Sequence, residues 1–111
     1  MKCLAPVLFL LFVTPALAGS GIASWYGPKF HGRTTASGET FNQYAATCAH
    51  RTLPFGTRLK ITNVSNGKSA TCRISDRGPY SGGRSLDVSR AVAKKLGMVR
   101  KGTANVRWVV L

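Results

Sequence analysis

From residue 19 onward, the hydrophobic positions fall in short alternating runs rather than in helical stripes. Leu59 and Ile61 alternate with Arg58, Lys60 and Thr62, which is the period of a half-buried strand. Asn66-Gly67 marks a tight turn, because both residue types tolerate positive φ. Beyond it Ala70, Cys72 and Ile74 alternate with Thr71, Arg73 and Ser75 and complete a hairpin. Residues 21–26 read as a first strand and residues 85–88 as another short one, while Val106, Trp108 and Val110 mark a last. One segment follows the helical period instead: Ser89 is a candidate N-cap, Ala91, Val92 and Leu96 follow it, and Gly97 stops it. Residues 28–40 and 76–84 are rich in Gly, Ser and polar residues and are expected to be loops. One short helix and about six strands predict a mainly β domain closed into a small barrel, since closure leaves no strand edge exposed.

The first 18 residues obey a different logic. Lys2 precedes an apolar run over residues 4–13, and Ala16-Leu17-Ala18 follows as a small-x-small cleavage site. This is the form of an export signal, so the domain is expected to be residues 19–111. The run is too short to cross a bilayer as a helix. Cys3 lies ahead of it, where a lipid anchor would need a cysteine directly after it, so none is expected. Cys48 and Cys72 then remain as an even pair in an oxidising compartment. One disulfide is the default reading, and two buried free thiols the alternative. A metal site would need more ligands than two Cys and two His at irregular separations supply.

Charge narrows the partners. The chain carries 16 Lys and Arg against 3 Asp and Glu, a formal charge of +13. Such a surface either keeps a small protein solvated and apart from its copies, or draws it to a polyanion. Export argues against nucleic acid, as does the lack of zinc-finger spacing, of a basic helix and of an aromatic-and-basic RNA-binding motif. Any carboxylate chemistry has only Glu39, Asp76 and Asp87 to use.

Six blocks of residues carry a resemblance. They are Gly21-Ile22-Ala23-Ser24-Trp25-Tyr26-Gly27, Phe30-His31-Gly32-Arg33-Thr34-Thr35-Ala36-Ser37-Gly38-Glu39, and Ala49-His50-Arg51-Thr52-Leu53-Pro54-Phe55-Gly56-Thr57, followed by residues 63–67, Asp76-Arg77-Gly78-Pro79 and Leu86-Asp87-Val88-Ser89. In this order and spacing they resemble the rare lipoprotein A family. The resemblance implies a six-stranded double-psi β-barrel with one short helix, related in shape to expansin and barwin domains. It also implies a peptidoglycan lytic transglycosylase, endolytic on MurNAc-β-1,4-GlcNAc bonds, with a preference for glycan strands lacking stem peptides. A monomer in the bacterial periplasm, soluble after signal cleavage and without metal or organic cofactor, is the matching expectation.

Cleaving such a bond takes an acid to protonate the leaving oxygen and a group to stabilise an oxocarbenium-like transition state. Asp76 and Asp87, each after a strand-like segment, are the expected acid/base pair, with the first donor left open. Glu39 is expected to orient substrate or assist proton transfer, and His50 to hydrogen-bond within the groove. Trp25 and Tyr26 either stack on a sugar face or belong to the core. Arg33 and Arg77 are natural partners for the lactyl carboxylate of muramic acid. The competing readings are a non-catalytic, expansin-like wall-binding or wall-loosening module and a secreted basic defence protein of barwin type.

Overall fold

The structure is a computed structural model, and it describes residues 18–111. The expected export segment, apart from Ala18, lies outside the described residues, as does Cys3. Six strands form a closed barrel: β1 (Ala18–Trp25), β2 (Thr47–Ala49), β3 (Arg58–Asn63), β4 (Ser69–Asp76), β5 (Arg84–Val88) and β6 (Thr103–Val110). Their order around the barrel is β1-β5-β2-β4-β3-β6. The pairs β1–β5 and β2–β4 are parallel and the other four antiparallel. This is the small closed barrel that the alternation predicts, with the expected helix α1 (Arg90–Leu96) between β5 and β6.

The hairpin forms in the expected register, Leu59 opposite Cys72 and Ile61 opposite Ala70. Its turn departs from the expectation. Among the described residues only glycines take positive φ, so of the two turn residues Gly67 (77°) does so and Asn66 does not. The Asn66 amide instead donates to the carbonyl of Leu96 at 3.1 Å, beside Asn63 Nδ2 at 2.8 Å. Two side chains from the hairpin thereby satisfy the last turn of α1, whose carbonyls lack partners within the helix. At the other end Ser89 Oγ accepts from Val92 N–H, and Gly97 stops the helix at φ 68°. Val92, Ala93 and Leu96 on its inner side join Leu59, Ile61, Ile74, Leu86 and Trp108 in one core.

The strand that the sequence leaves unmarked is β2. All three of its residues are buried, so it shows no alternation to read. It is held by parallel β4 on one side and antiparallel β5 on the other. Inside the barrel the Cys48–Cys72 disulfide ties it to β4, with both cysteines nearly inaccessible.

Both parallel pairings contain a bulge. Along β1 the partner jumps from Arg84 to Leu86, and along β2 from Ile74 to Asp76, so Ser85 and Ser75 are the extra residues. A bulge shifts which side of the sheet the following side chains face. Leu86 and Ile74 therefore keep the core side, while Arg84 and Asp76 turn outward. Gly21 is what admits the first bulge: a Cβ there would lie 2.2 Å from Ser85 Oγ and 2.8 Å from its Cβ.

Two outcomes are expected from this packing. Replacing Cys48 and Cys72 by Ser should cost about 2–5 kcal/mol in urea unfolding, and native exported protein should titrate no free thiol. Gly21→Ala should cost about 1–3 kcal/mol through overpacking, and Ser85→Gly in the same chain should restore part of it. Full stability of the Gly21→Ala protein would mean that the bulge has room to spare.

Candidate active site

The two aspartates are eleven positions apart in sequence, and one small residue brings them together. Ala49 pairs with Asp76 on β4 to one side and with Asp87 on β5 to the other. Ser24 on β1 pairs with Asp87 beyond that. Paired residues on neighbouring strands face the same side, so Ser24, Asp87, Ala49 and Asp76 form a row across four strands. Two strand spacings put the aspartate backbones about 10 Å apart. The row opens into a groove of about 500 Å³, whose walls include Tyr26, Arg33, Asp76, Arg77, Tyr80 and Asp87.

The carboxylates are held differently. Asp76 Oδ1 accepts from the backbone N–H groups of Ala36 (2.9 Å) and Arg77 (2.8 Å), and its Oδ2 accepts from the Tyr26 hydroxyl (2.8 Å). Three donors from three segments fix both of its oxygens. Asp87 Oδ1 accepts from the Ser24 hydroxyl. Arg84 Nη1 lies 3.7 Å from the same oxygen and donates to Ser24 Oγ at 2.7 Å. Among the described residues no hydrogen bond reaches Asp87 Oδ2, which leaves that oxygen for a ligand.

Tyr26, the side-chain donor to Asp76, is itself set by its surroundings. Burial, the hydrogen bond to Asp76 and the negative charges of Asp76 and Asp87 all push its phenol up. It therefore stays protonated and acts as a donor. Its ring packs against Phe30 and, edge-on at 4.7 Å, against Phe41. Trp25 is not in the groove, because adjacent strand residues point to opposite sheet faces. It packs against the core, and its Nε1 donates to the Val99 carbonyl at 3.3 Å. The two aromatics of the first strand thus take separate roles, one on the groove wall and one on the core.

The remaining candidates divide. Arg33 lies on the groove wall, its guanidinium 5.5 Å from the Phe30 ring centre. Arg77 also lines the groove, but its Nη1 donates to the carbonyls of Leu53 (2.8 Å) and His50 (3.2 Å), and its guanidinium stacks 4.0 Å over Phe55. The His50 side chain turns into its own loop, where Nδ1 accepts from Thr52 N–H (3.1 Å) and Leu53 N–H (3.0 Å). Burial, with the charges of Arg51 and Arg77, moves its pKa down, so the ring is neutral near pH 7 and its proton sits on Nε2. Glu39 stands outside the groove in a two-pronged pair with Arg73, at 2.8 and 2.9 Å. That bond holds its carboxyl below the usual range. Its carbonyl accepts from both the N–H and the hydroxyl of Thr35, which lies on the groove wall.

Two residues on Asp87 went unread in the sequence, Ser24 and Arg84. Ser24 is 63 positions away, and Arg84 at an odd spacing from Asp87 would face the opposite side of a regular strand. Only the bulge at Ser85 puts Arg84 on the Asp87 side.

Comparison with known proteins places this geometry. The family described as lytic transglycolase matches residues 18–108. A protein of Synechocystis sp. named "Probable endolytic peptidoglycan transglycosylase RlpA" is 62% identical over 86 residues, which are 78% of this chain and 27% of that protein. One of Vibrio cholerae named "Endolytic peptidoglycan transglycosylase RlpA" is 53% identical over 92 residues, 83% of this chain and 35% of that protein. The chain thus spans about a third or less of the length of these relatives. Among solved structures, the expansin of Clavibacter michiganensis superposes with a TM-score of 0.67 at 19% identity, covering 86% of this chain and 50% of that one. That likeness is one of fold, and the sequence identities above carry the relationship. The chain therefore belongs to the lytic transglycolase family of rare-lipoprotein-A-like double-psi β-barrels.

Proposed function

We propose that this barrel is the cutting unit of an endolytic peptidoglycan transglycosylase. It would break MurNAc-β-1,4-GlcNAc bonds, leave 1,6-anhydro-MurNAc ends and favour strands lacking stem peptides. The observation that carries the reading is the pair of carboxyls flanking Ala49 in one groove, differently bonded. The names of the relatives support it, and a wall substrate agrees with the expected export to the periplasm.

The bonding suggests a division of labour. Asp87, with Oδ2 open, is the better placed to give its proton to the leaving glycosidic oxygen as the C1–O bond breaks. Asp76, its oxygens tied by three donors, is suited to remain an anion facing the positive charge that develops on the sugar. Asp87, now a carboxylate, then takes the proton of the muramic acid C6 hydroxyl while that oxygen closes on C1. The anhydro ring forms and no water is consumed. Ser24 and Arg84 steady Asp87 through this change of charge. Arg33, on the groove wall, is placed to meet the lactyl carboxylate. Glu39 acts at one remove, holding the Thr35 segment of the wall through its pair with Arg73. His50 shapes the turn on which Arg77 rests.

Asp87→Asn should lower the release of anhydro ends by roughly 10²–10⁴-fold, the contribution of a positioned acid, while retention on sacculi survives. Asp76→Asn should also impair release. Mass spectrometry of digested strands reads the products, and heavy-oxygen water separates the routes. Reducing ends that carry the label would make this a hydrolase. No new ends from folded protein on amidase-treated sacculi would leave a binding module. Ser24→Ala should lower turnover by roughly ten- to a hundredfold, the worth of a hydrogen bond to a charged group, with little change in retention. An unchanged rate would show that Asp87 needs no clasp.

A further inference from the structure

Away from the aspartates, one aromatic ring stands exposed yet held in place. Tyr44 is 71% exposed. Its N–H donates to Asn42 Oδ1 at 2.9 Å, and its ring meets His31 edge-on, with centres 5.6 Å apart. His31 is fixed in turn, since its Nδ1 accepts from Gln43 N–H at 3.1 Å. The Gln43 carbonyl accepts from Ala91 N–H at 3.0 Å, tying this segment to α1. Tyr44 is therefore ordered from below while its face is left to solvent.

Tyr44 helps to wall two hollows. One, of about 330 Å³, is walled by Arg90, Lys94 and Lys95 of α1. The other, of about 500 Å³, is walled by His31, Thr40 and Asn42. The three cations have no acid to balance them: Glu39 is bound to Arg73, and Asp76 and Asp87 lie in the groove. Arg90 Nε and Gln43 Oε1 are buried without hydrogen-bond partners among the described residues. The loop that carries His31 and Tyr44 also supplies Phe30, Arg33 and Phe41 to the groove, so the two places share one support.

We propose that Tyr44, with Arg90, Lys94 and Lys95, forms a second binding site for an anionic glycan strand, apart from the groove that cuts it. This rests on the wall-glycan reading above. The open ring face offers a flat apolar surface to the C–H side of a sugar. The cations offer charge-assisted hydrogen bonds to carboxylates borne along the strand. A bilayer is a poorer fit, because the large apolar residues of α1, Val92 and Leu96, are buried in the core, and Ala91, half-buried on the hollow wall, is too small to anchor a helix in lipid. For an enzyme that cuts within strands, a hold beside the cutting groove would keep the polymer in place between cuts.

The test uses protein carrying Asp87→Asn, so that strands are bound without being cut, and reads retention on amidase-treated sacculi. Tyr44→Ala should weaken retention roughly three- to tenfold, the range of one aromatic contact, and Tyr44→Phe should keep it. Replacing Arg90, Lys94 and Lys95 by Gln should weaken it more than replacing Arg58, Lys60 and Arg107, an equal charge on the exposed sides of β3 and β6. Circular dichroism checks that each variant is folded. Equal losses from the two charge sets, or no loss with Tyr44→Ala, would overturn the site. So would a Tyr44-dependent gain confined to anionic phospholipid vesicles. The protein without Asp87→Asn is assayed alongside for anhydro ends. Tyr44-dependent retention without such ends would overturn the catalytic reading and leave this one standing, whereas ends with Tyr44-independent retention would do the reverse.

Discussion

A three-residue strand holds this site together. β2 is shorter than most strands, and it has no flanking regular structure of its own to keep it in the sheet. Its place between β4 and β5 is secured by ladder bonds on both sides and by the Cys48–Cys72 link on the core side. Because Ala49 ends β2, the position of that strand sets the spacing of Asp76 and Asp87. A larger side chain at 49 would lie between the two carboxyls. The disulfide is thus remote from the chemistry in contact, yet it bears on the distance that the chemistry needs.

The parallel pairings add the second condition. In an unbroken strand, Asp76 would share a face with Ile74, and Arg84 with Leu86, and two charged groups would point into the core. Burying an unpaired charge there is far more costly than the local disruption of a bulge. The extra residues, Ser75 and Ser85, are small and polar, and Gly21 opposite Ser85 has no side chain to obstruct it. Packing and function therefore make the same demand on the register.

Scarcity of acids shapes the rest. Of the three, Glu39 is taken by Arg73 and the other two face the groove. Most cations on this chain have no carboxylate to meet, and their field is left for partners. Exposed charges of this kind act through solvent and are screened over about 8 Å at physiological salt. They draw a polyanion in, while the fixed contacts of the groove and of the Tyr44 face decide where it rests.

Much of the barrel was legible in the chain. Alternation around Leu59, Ile61, Cys72 and Ile74 marked the hairpin, and Ser89 and Gly97 marked the helix ends, because these signals are local: a period of two, a cap, a left-handed stop. The family blocks pointed to both aspartates. What the chain did not disclose depends on partners far away in sequence. β2 has no exposed face and so no period. The bulges exist only relative to the strands beside them, so the sides taken by Arg84 and Asp76 were unreadable, and with them the clasp of Ser24 and Arg84 on Asp87. Trp25 and Tyr26 looked like one aromatic pair until the pleat sent them to opposite faces. Sequence determined which residues were available for chemistry. Tertiary structure decided which of them meet, because a one-residue shift in a strand changes the face of every side chain beyond it.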